Sequence, residues 1–343
     1  MADRVELVGV CDARIEAAER AAFATRGWSP SVQGFGDVGS MLAGTRPDAV
    51  FNLTPAPAHG AVNERLLREG VHVYSEKPIA GSVDEADRLI DLARERGVLF
   101  QAAPATAVTR RFRWLGEIVA SERFGRLSLV VGHTADPGPA AWREYTGDPI
   151  PFYGPGVGPV FDHGVYRLHG MVALMGPVRR VQAMGAIGVP RRVVRGGPLA
   201  GRTFDVTAPD HVLINLEFAG GGLGQLLSSF GTSSTLAPWL ELHFERATIS
   251  FPGDQYGKDS TASLYVDDDS SQGLEGWTHD LLPPPPEDAW PVVETGVLHF
   301  VAGLRGEETP ALGADQARHV LDVILKAYES IADGASHATE TSF

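Results

Sequence analysis

Leu53-Thr54-Pro55-Ala56-Pro57-Ala58-His59, followed after one helical segment by Val73-Tyr74-Ser75-Glu76-Lys77-Pro78, decides the reading of this chain. In both runs an apolar segment gives way to polar groups, and the second puts a lysine at the strand tip. Lysine is rare here, with only Lys77, Lys258 and Lys326 against an arginine-rich background. Its ammonium is a compact donor whose protonation responds to neighbours, whereas guanidinium stays charged. The carboxyl ends of parallel strands are where open α/β sheets bind ligands. Lys77 is therefore the first candidate for chemistry.

Outward from that stretch the chain alternates strand and helix. Val5 to Cys11 reads as an apolar strand closed by Asp12, of the kind buried on both faces of a parallel sheet. A helix is predicted from Ala13 to Thr25, a weak strand at Val32 to Phe35, a short helix at Val38 to Ala43 and a strand at Ala49 to Leu53. Helix Ala58 to Glu69, strand Val71 to Tyr74, helix Ser82 to Arg96 and strand Val98 to Ala102 continue the rhythm, with Gly70 and Gly97 as helix stops. This is the α/β pattern of a Rossmann-like, doubly wound parallel sheet.

Past residue 108 longer runs alternate with period two. In His211 to Phe218, Val212, Ile214, Leu216 and Phe218 share one face, an antiparallel habit. Similar runs at Leu127 to His133, Val181 to Ile187, Gly224 to Phe230, Leu240 to Ile249 and Ser263 to Val266 predict a second α/β domain on one large, mainly antiparallel open sheet. The expected division is 1–108 and 109–343, and the final helix, 314–332, is a candidate to pack back on the first domain. The Pro283 to Pro286 run reads as an exposed extended loop.

A chain of 343 residues accommodates two domains and a sizeable core. Its formal charge of -14 argues against nucleic acid and anionic lipid, which need clustered Lys and Arg. Cys11 is the sole cysteine, so no intrachain disulfide forms. Asp3, Arg4 and Glu6 do not resemble a signal peptide, and no apolar run approaches the roughly 18 residues that span a bilayer. A cytoplasmic protein acting on small molecules, with no nucleic-acid or membrane partner, is expected. No metal-ligand spacing occurs among the histidines, and no Gly-x-Ser-x-Gly elbow supports a serine hydrolase.

Gly34-Phe35-Gly36-Asp37-Val38-Gly39 matches the dinucleotide fingerprint but follows the short, half-polar Ser31-Val32-Gln33, and no acid ends a strand about 20 residues later. The acid that closes the second strand of such a fold stands instead at Asp12. The chain reads as starting at strand two.

The order of elements, the Thr54-Pro55 to His59 run, Glu76-Lys77-Pro78 and Gly158-Pro159-Val160-Phe161-Asp162-His163-Gly164-Val165-Tyr166 together resemble the glucose-fructose oxidoreductase/inositol dehydrogenase (Gfo/Idh/MocA) family. The resemblance implies an NAD(P)-dependent enzyme that moves a hydride to or from a secondary alcohol of a sugar, polyol or related cyclic alcohol. It also implies a homo-oligomer, dimer or tetramer. In one respect the chain departs from the family: the first strand and its glycine-rich turn are not found ahead of Val5. A late-assigned start, a truncated protein with altered cofactor binding, and a non-catalytic sugar- or nucleotide-binding homologue all remain open.

By the same resemblance Asp12 binds the adenosine ribose, although an Asp here is also a good helix cap. Arg14 is a candidate for a 2'-phosphate, and the carboxylate of Asp12 tilts the choice from NADP toward NAD. Thr54 and Pro55 lie under the cofactor, His59 holds the loop, and Glu76 orients Lys77 and contacts the nicotinamide ribose, so that both are counted with the cofactor-binding residues. Asp162 and Tyr166 match the family motif in its tyrosine variant. A free phenol, with pKa about 10, is a poor base unless a cation stabilises its phenolate. Tyr166 is therefore read as acid/base, Lys77 as its electrostatic partner and Asp162 as the residue that orients substrate hydroxyls. His163 and His169 are further substrate contacts or reserve bases, and Trp142, Phe152 and Tyr153 are candidates for an apolar wall under a sugar ring.

Overall fold

The computed structural model describes residues 4–252, 262–267, 277 and 292–343, and the Pro283 to Pro286 run lies outside them. Contacts divide the chain into two compact units, Met1–Ala103 with Val297–Ala314 and Pro104–Gly296 with Asp315–Phe343. The division falls five residues before the expected one, ahead of a 3-10 turn at Thr106–Val108 that packs with the second unit.

In the first unit β1 (Gly9–Cys11) leads through α1 (Ile15–Thr25) to β2 (Gln33–Phe35) and α2 (Val38–Thr45). Then come β3 (Ala49–Asn52), α3 (His59–Arg68), β4 (His72–Ser75), α4 (Val83–Arg96) and β5 (Phe100–Ala102). All ladders are parallel, as the alternation predicts. The strands form two sheets, β1-β2 and β3-β4-β5, and no ladder joins β1 to β3 among the described residues. Burial follows that division. β5 and all of β4 but His72 are buried, whereas β1 and three of the four residues of β3 are only half-buried.

Local chemistry sets the boundaries. Ser82 caps α4 by accepting the Glu85 N–H at 3.2 Å, and Gly97 ends it at φ 66°. Asp37 caps α2 through the Ser40 N–H at 2.9 Å. A Cβ on Gly34 would lie 2.8 Å from Glu19 N, so the glycine in this false fingerprint serves close packing of α1 on β2. The returning segment contributes Phe300, fully buried with its ring centroid 5.5 Å from Phe51 and 5.7 Å from Tyr74.

The second unit begins with α5 (Arg110–Ala120), β6 (Leu127–Ala135), α6 (Val165–Met175), β7 (Val178–Ala186), a small hairpin β8 (Arg191–Val193) and β9 (Thr203–Asp205), and β10 (His211–Phe218). It continues with β11 (Leu223–Ser229), β12 (Leu240–Phe244), β13 (Ala247–Phe251) and β14 (Ser263–Val266); α7 (Val292–Leu304), from Val297 on, belongs to the first unit, and α8 (Ala314–Asp333) and β15 (His337–Ala338) complete the second. Eight strands form one sheet in the order β14-β13-β12-β6-β11-β10-β7-β15, antiparallel except for the parallel pair β11 and β6. The predicted strand Leu240 to Ile249 is in fact a hairpin. Glu245 and Arg246 turn the chain and donate their N–H groups to Arg126 O and Phe124 O.

One face of this sheet is covered. Val212, Ile214, Leu216 and Phe218 of β10 meet Leu168 and Met171 of α6 and Val320, Val323 and Ile324 of α8 in a single apolar cluster. The apolar stripe of α8 thus belongs to the second unit, and the segment that returns to the first is Val297–Ala314. Asp322 of α8 fixes the tail, its Oδ2 accepting from Glu340 N at 2.7 Å and Thr341 N at 2.9 Å.

Candidate functional site

In the first unit the predicted residues stand at the carboxyl ends of parallel strands, which place them without further design. Asp12 follows β1 and its Oδ1 accepts the Arg14 N–H at 2.8 Å, with Arg14 Nε at 3.5 Å. Helix α1 starts only at Ile15, so this is a turn contact preceding the helix. The Asp12 side chain remains 40% exposed and Arg14 79% exposed, both accessible to a ligand.

Thr54 and His59 follow β3 and are tied to the segment after β4. His59, 1% exposed, places Nε2 2.6 Å from Thr54 O and Nδ1 2.7 Å from Pro78 O. It holds two loops together, and its burial leaves it no face for a reactant. Pro55 is exposed beside it. Half-buried Lys77 follows β4, its backbone N–H donating to Glu76 Oε2 at 3.0 Å, and the Lys77–Pro78 bond is cis.

Beneath these lies a polar network that sequence reasoning missed. Asn63 of α3, with no exposed surface, accepts from Asn52 Nδ2 at 2.7 Å and donates to Ser75 Oγ at 3.0 Å and Ile79 O at 3.2 Å. Asn52 Oδ1 accepts from the Thr54 hydroxyl at 2.7 Å. The signal for it was an asparagine on the same helical stripe as buried Leu66 and Leu67.

In the second unit a π-helical turn, Val160–Gly164, leads into α6. Such wide turns recur at functional sites because they shift the helical phase of the side chains that follow. Asp162 and His163 sit on this turn. His163 Nε2 lies 3.5 Å from Asp162 Oδ2. Its Nδ1 lies 2.8 Å from Asp136 Oδ2, at ion-pair distance. Trp142 stacks on the imidazole at 5.4 Å with an 11° tilt, and Phe230 meets it edge-on at 5.4 Å.

Tyr145, not singled out from sequence, stands edge-on to Trp142 at 6.0 Å. Burial first, then the negative charge of Asp162, raise its phenol pKa. Tyr166, on α6, is half-buried and packs against the apolar core.

Two predicted substrate contacts are core residues. Tyr153 is 2% exposed, its hydroxyl accepts the Ala140 N–H at 3.1 Å, and the Arg192 guanidinium covers its ring at 4.8 Å. His169 is 4% exposed, and burial, then the neighbouring His319, lower its pKa to about 3. Both are therefore withdrawn from any ligand, because their neighbours are already protein atoms. Among the described residues no cluster of three or more His, Cys, Asp or Glu could hold a metal ion. No helix there is long and apolar enough to cross a membrane.

The parallel-strand unit and the open-sheet unit are the two parts of a dinucleotide-dependent oxidoreductase. Residues 1–103 match the oxidoreductase family with an NAD-binding Rossmann fold, and 112–250 match the GFO/IDH/MocA C-terminal domain. The chain belongs to the Gfo/Idh/MocA oxidoreductase family. It is 26% identical over 269 residues to D-glucoside 3-dehydrogenase of Escherichia coli (strain K12), covering 77% of this chain and 72% of that protein. It is 32% identical over 155 residues to dTDP-3,4-didehydro-2,6-dideoxy-alpha-D-glucose 3-reductase of Streptomyces violaceoruber, covering 45% of this chain and 43% of that one. The fold is shared with the WlbA dehydrogenase of Bordetella pertussis, solved with NADH and UDP-GlcNAcA, at a TM-score of 0.71 and 21% identity over 99% of this chain and 92% of that one.

The donor set suits a dinucleotide in part. The Asp12 carboxylate can accept from ribose hydroxyls, and Thr54, Glu76 and Lys77 supply a hydroxyl, a carboxylate and an ammonium at neighbouring strand ends. For the pyrophosphate, a glycine-rich turn between a strand and a helix N-terminus is the usual cradle. Among the described residues, the segments from β1 to α1 and from β4 to α4 include no such cradle for it; the first has no glycine and the second only Gly81.

Proposed function

We propose that this protein transfers a hydride between a nicotinamide dinucleotide, NAD in preference to NADP, and one secondary alcohol or ketone carbon of a sugar or related polyol. The observation that carries the reading is the buried asparagine network that fixes the Lys77 segment at the end of β4. Structure of that kind holds a functional group in place. The E. coli relative is a glucoside dehydrogenase and the Streptomyces relative a sugar reductase, which supports a sugar as substrate.

Oxidation removes a hydroxyl proton and a hydride from the same carbon, so the protein must accept the proton and stabilise charge on the oxygen. Tyr166 takes the proton, Lys77 stabilises the oxygen and Asp162 orients the adjoining hydroxyls. The nicotinamide supplies the hydride acceptor when bound. Asp12, Thr54, Pro55 and Glu76 contact the dinucleotide, and Asp12 disfavours a 2'-phosphate by charge. Trp142 supports the sugar ring. Absorbance at 340 nm with a panel of sugars and NAD or NADP tests this, and no turnover of any sugar refutes it.

The reading places the enzyme in the cytoplasm as a homo-oligomer. Met184, Leu213 and Leu223, which lie on the uncovered face of the large sheet, are 75%, 48% and 57% exposed, an apolar surface suited to a second copy. Light scattering of the purified protein checks this, with a monomer as the contrary result. A second reading, a sugar- or nucleotide-binding protein without turnover, is favoured by the unjoined β1-β2 and β3-β4-β5 sheets. NADH binding without turnover of any sugar would support it.

A further inference from the structure

The Asp136, His163 and Asp162 side chains form a line in the second unit that the roles given above leave unexplained. Asp136 follows β6, and one of its oxygens is already fixed, because Oδ1 accepts the Gly138 N–H at 2.6 Å. The other, Oδ2, is 2.8 Å from His163 Nδ1, while His163 Nε2 is 3.5 Å from Asp162 Oδ2. The imidazole is 6% exposed and lies between the Trp142 face and the Phe230 edge, so it has little freedom to turn away.

Gly138 makes the arrangement possible. A Cβ there would fall 2.4 Å from the Tyr153 hydroxyl and 2.8 Å from Phe230 Cβ, and its φ of 76° suits glycine. The loop after β6 can therefore press close to the ring and deliver Asp136 to Nδ1. Core packing alone gives no reason to bury an imidazole between two carboxylates, since buried polar groups are costly unless they are matched.

We propose that His163 and Asp136 are positioning residues for Asp162, which set its carboxylate toward the substrate hydroxyls. The proposal rests on the oxidoreductase reading and deepens it. With Nδ1 2.8 Å from Asp136 Oδ2 and Nε2 3.5 Å from Asp162 Oδ2, the enclosed ring spaces the two carboxylates, and Asp162 is held so that its carboxylate meets a pair of hydroxyls on the sugar. Long or poorly aligned contacts of this kind tighten once substrate is bound. The substrate class that follows is a sugar with a free hydroxyl next to the carbon that reacts. A deoxy analogue at that neighbouring position would lose the Asp162 contact.

His163→Phe tests this, because the phenyl ring keeps the stack with Trp142 and Phe230 and removes both nitrogens. Expected is a roughly 10- to 100-fold fall in kcat/KM for the sugar, with NADH affinity by fluorescence unchanged. Asp136→Ala should show a loss in the same range, and the double variant should lose no more than the single one, because Asp136 acts through His163. His163→Gln, whose amide still donates, should recover part of the activity. The fully active sugar and its neighbouring deoxy analogue should differ less in His163→Phe than in wild type.

Four results decide against the proposal. A kcat/KM of His163→Phe within twofold of wild type overturns it alone, as do losses that add in the double variant. A wild type that turns over no sugar overturns it together with the oxidoreductase reading. If His163→Phe fails to fold, Asp136→Ala with the deoxy comparison decides the question, and an unchanged preference there overturns it.

Discussion

Replacing Asn63 by leucine isolates what the buried network contributes. The two side chains are close in volume, but leucine removes one acceptor and two donated bonds from a position with no exposed surface. Asn52, 2% exposed, loses one of two acceptors and keeps His59 O at 3.3 Å; Ser75 Oγ loses a donor but still donates to Glu76 O at 3.1 Å, and Ile79 O loses a donor. Three buried groups left unmatched at about 1–3 kcal/mol each would cost about 3–9 kcal/mol, and because Asn52 and Ser75 each keep a second bond the gross loss is about 3–6 kcal/mol. The apolar surface of leucine offsets about 1–2 kcal/mol, so the expected net loss is about 3 kcal/mol. The first unit has about 120 residues, and at the usual unfolding entropy per residue this lowers its Tm by roughly 12 °C. Urea unfolding and calorimetry measure both quantities. NADH affinity should fall roughly tenfold, because the segment carrying Glu76 and Lys77 loses its anchor. A stability loss under about 1 kcal/mol with unchanged NADH binding would mean that the network does not hold this segment.

Lys77→Met should lower kcat at least about 100-fold while circular dichroism is retained, and activity within twofold would remove Lys77 from the mechanism. Asp210, 1% exposed, pairs with Arg192 Nη2 at 2.7 Å and accepts the Gly188 N–H at 2.6 Å, so Asp210→Asn should cost about 3–5 kcal/mol in urea titration. His169 supplies a pH dependence. Its pKa is lowered from 6.5 to about 3 by burial and then His319, so below pH 6.5 the unfolded chain binds a proton that the folded one refuses. Its stability contribution is full above pH 6.5 and falls toward pH 3, by about 1.4 kcal/mol per unit. Wild type should lose about 2 kcal/mol more than His169→Gln between pH 7 and pH 5, and equal losses would show that the ring does not stay neutral in the folded state.

The parallel-strand unit was legible in sequence because its signals are local. Apolar strands, amphipathic helices and glycine stops recur within a few residues, and strand ends carry the ligand groups, so Asp12, Thr54 and Lys77 stood out before any contact was known. Period two likewise gave β10 residue for residue. Local pattern did not resolve the Glu245-Arg246 turn, which is made by bonds to Arg126 O and Phe124 O, far away in the chain. Nor did it show where α8 packs, since an apolar stripe states that a helix is buried and leaves open against what.

What the sequence by itself determined is the family, the order of elements and the residue types at strand ends, all properties of short segments. Tertiary structure alone decided that Asn63 joins three segments, that Tyr153 and His169 are core, and that Asp136 reaches His163. The physical reason is that periodicity fixes which face a side chain occupies, whereas hydrogen bonding and burial depend on partners that only folding brings together.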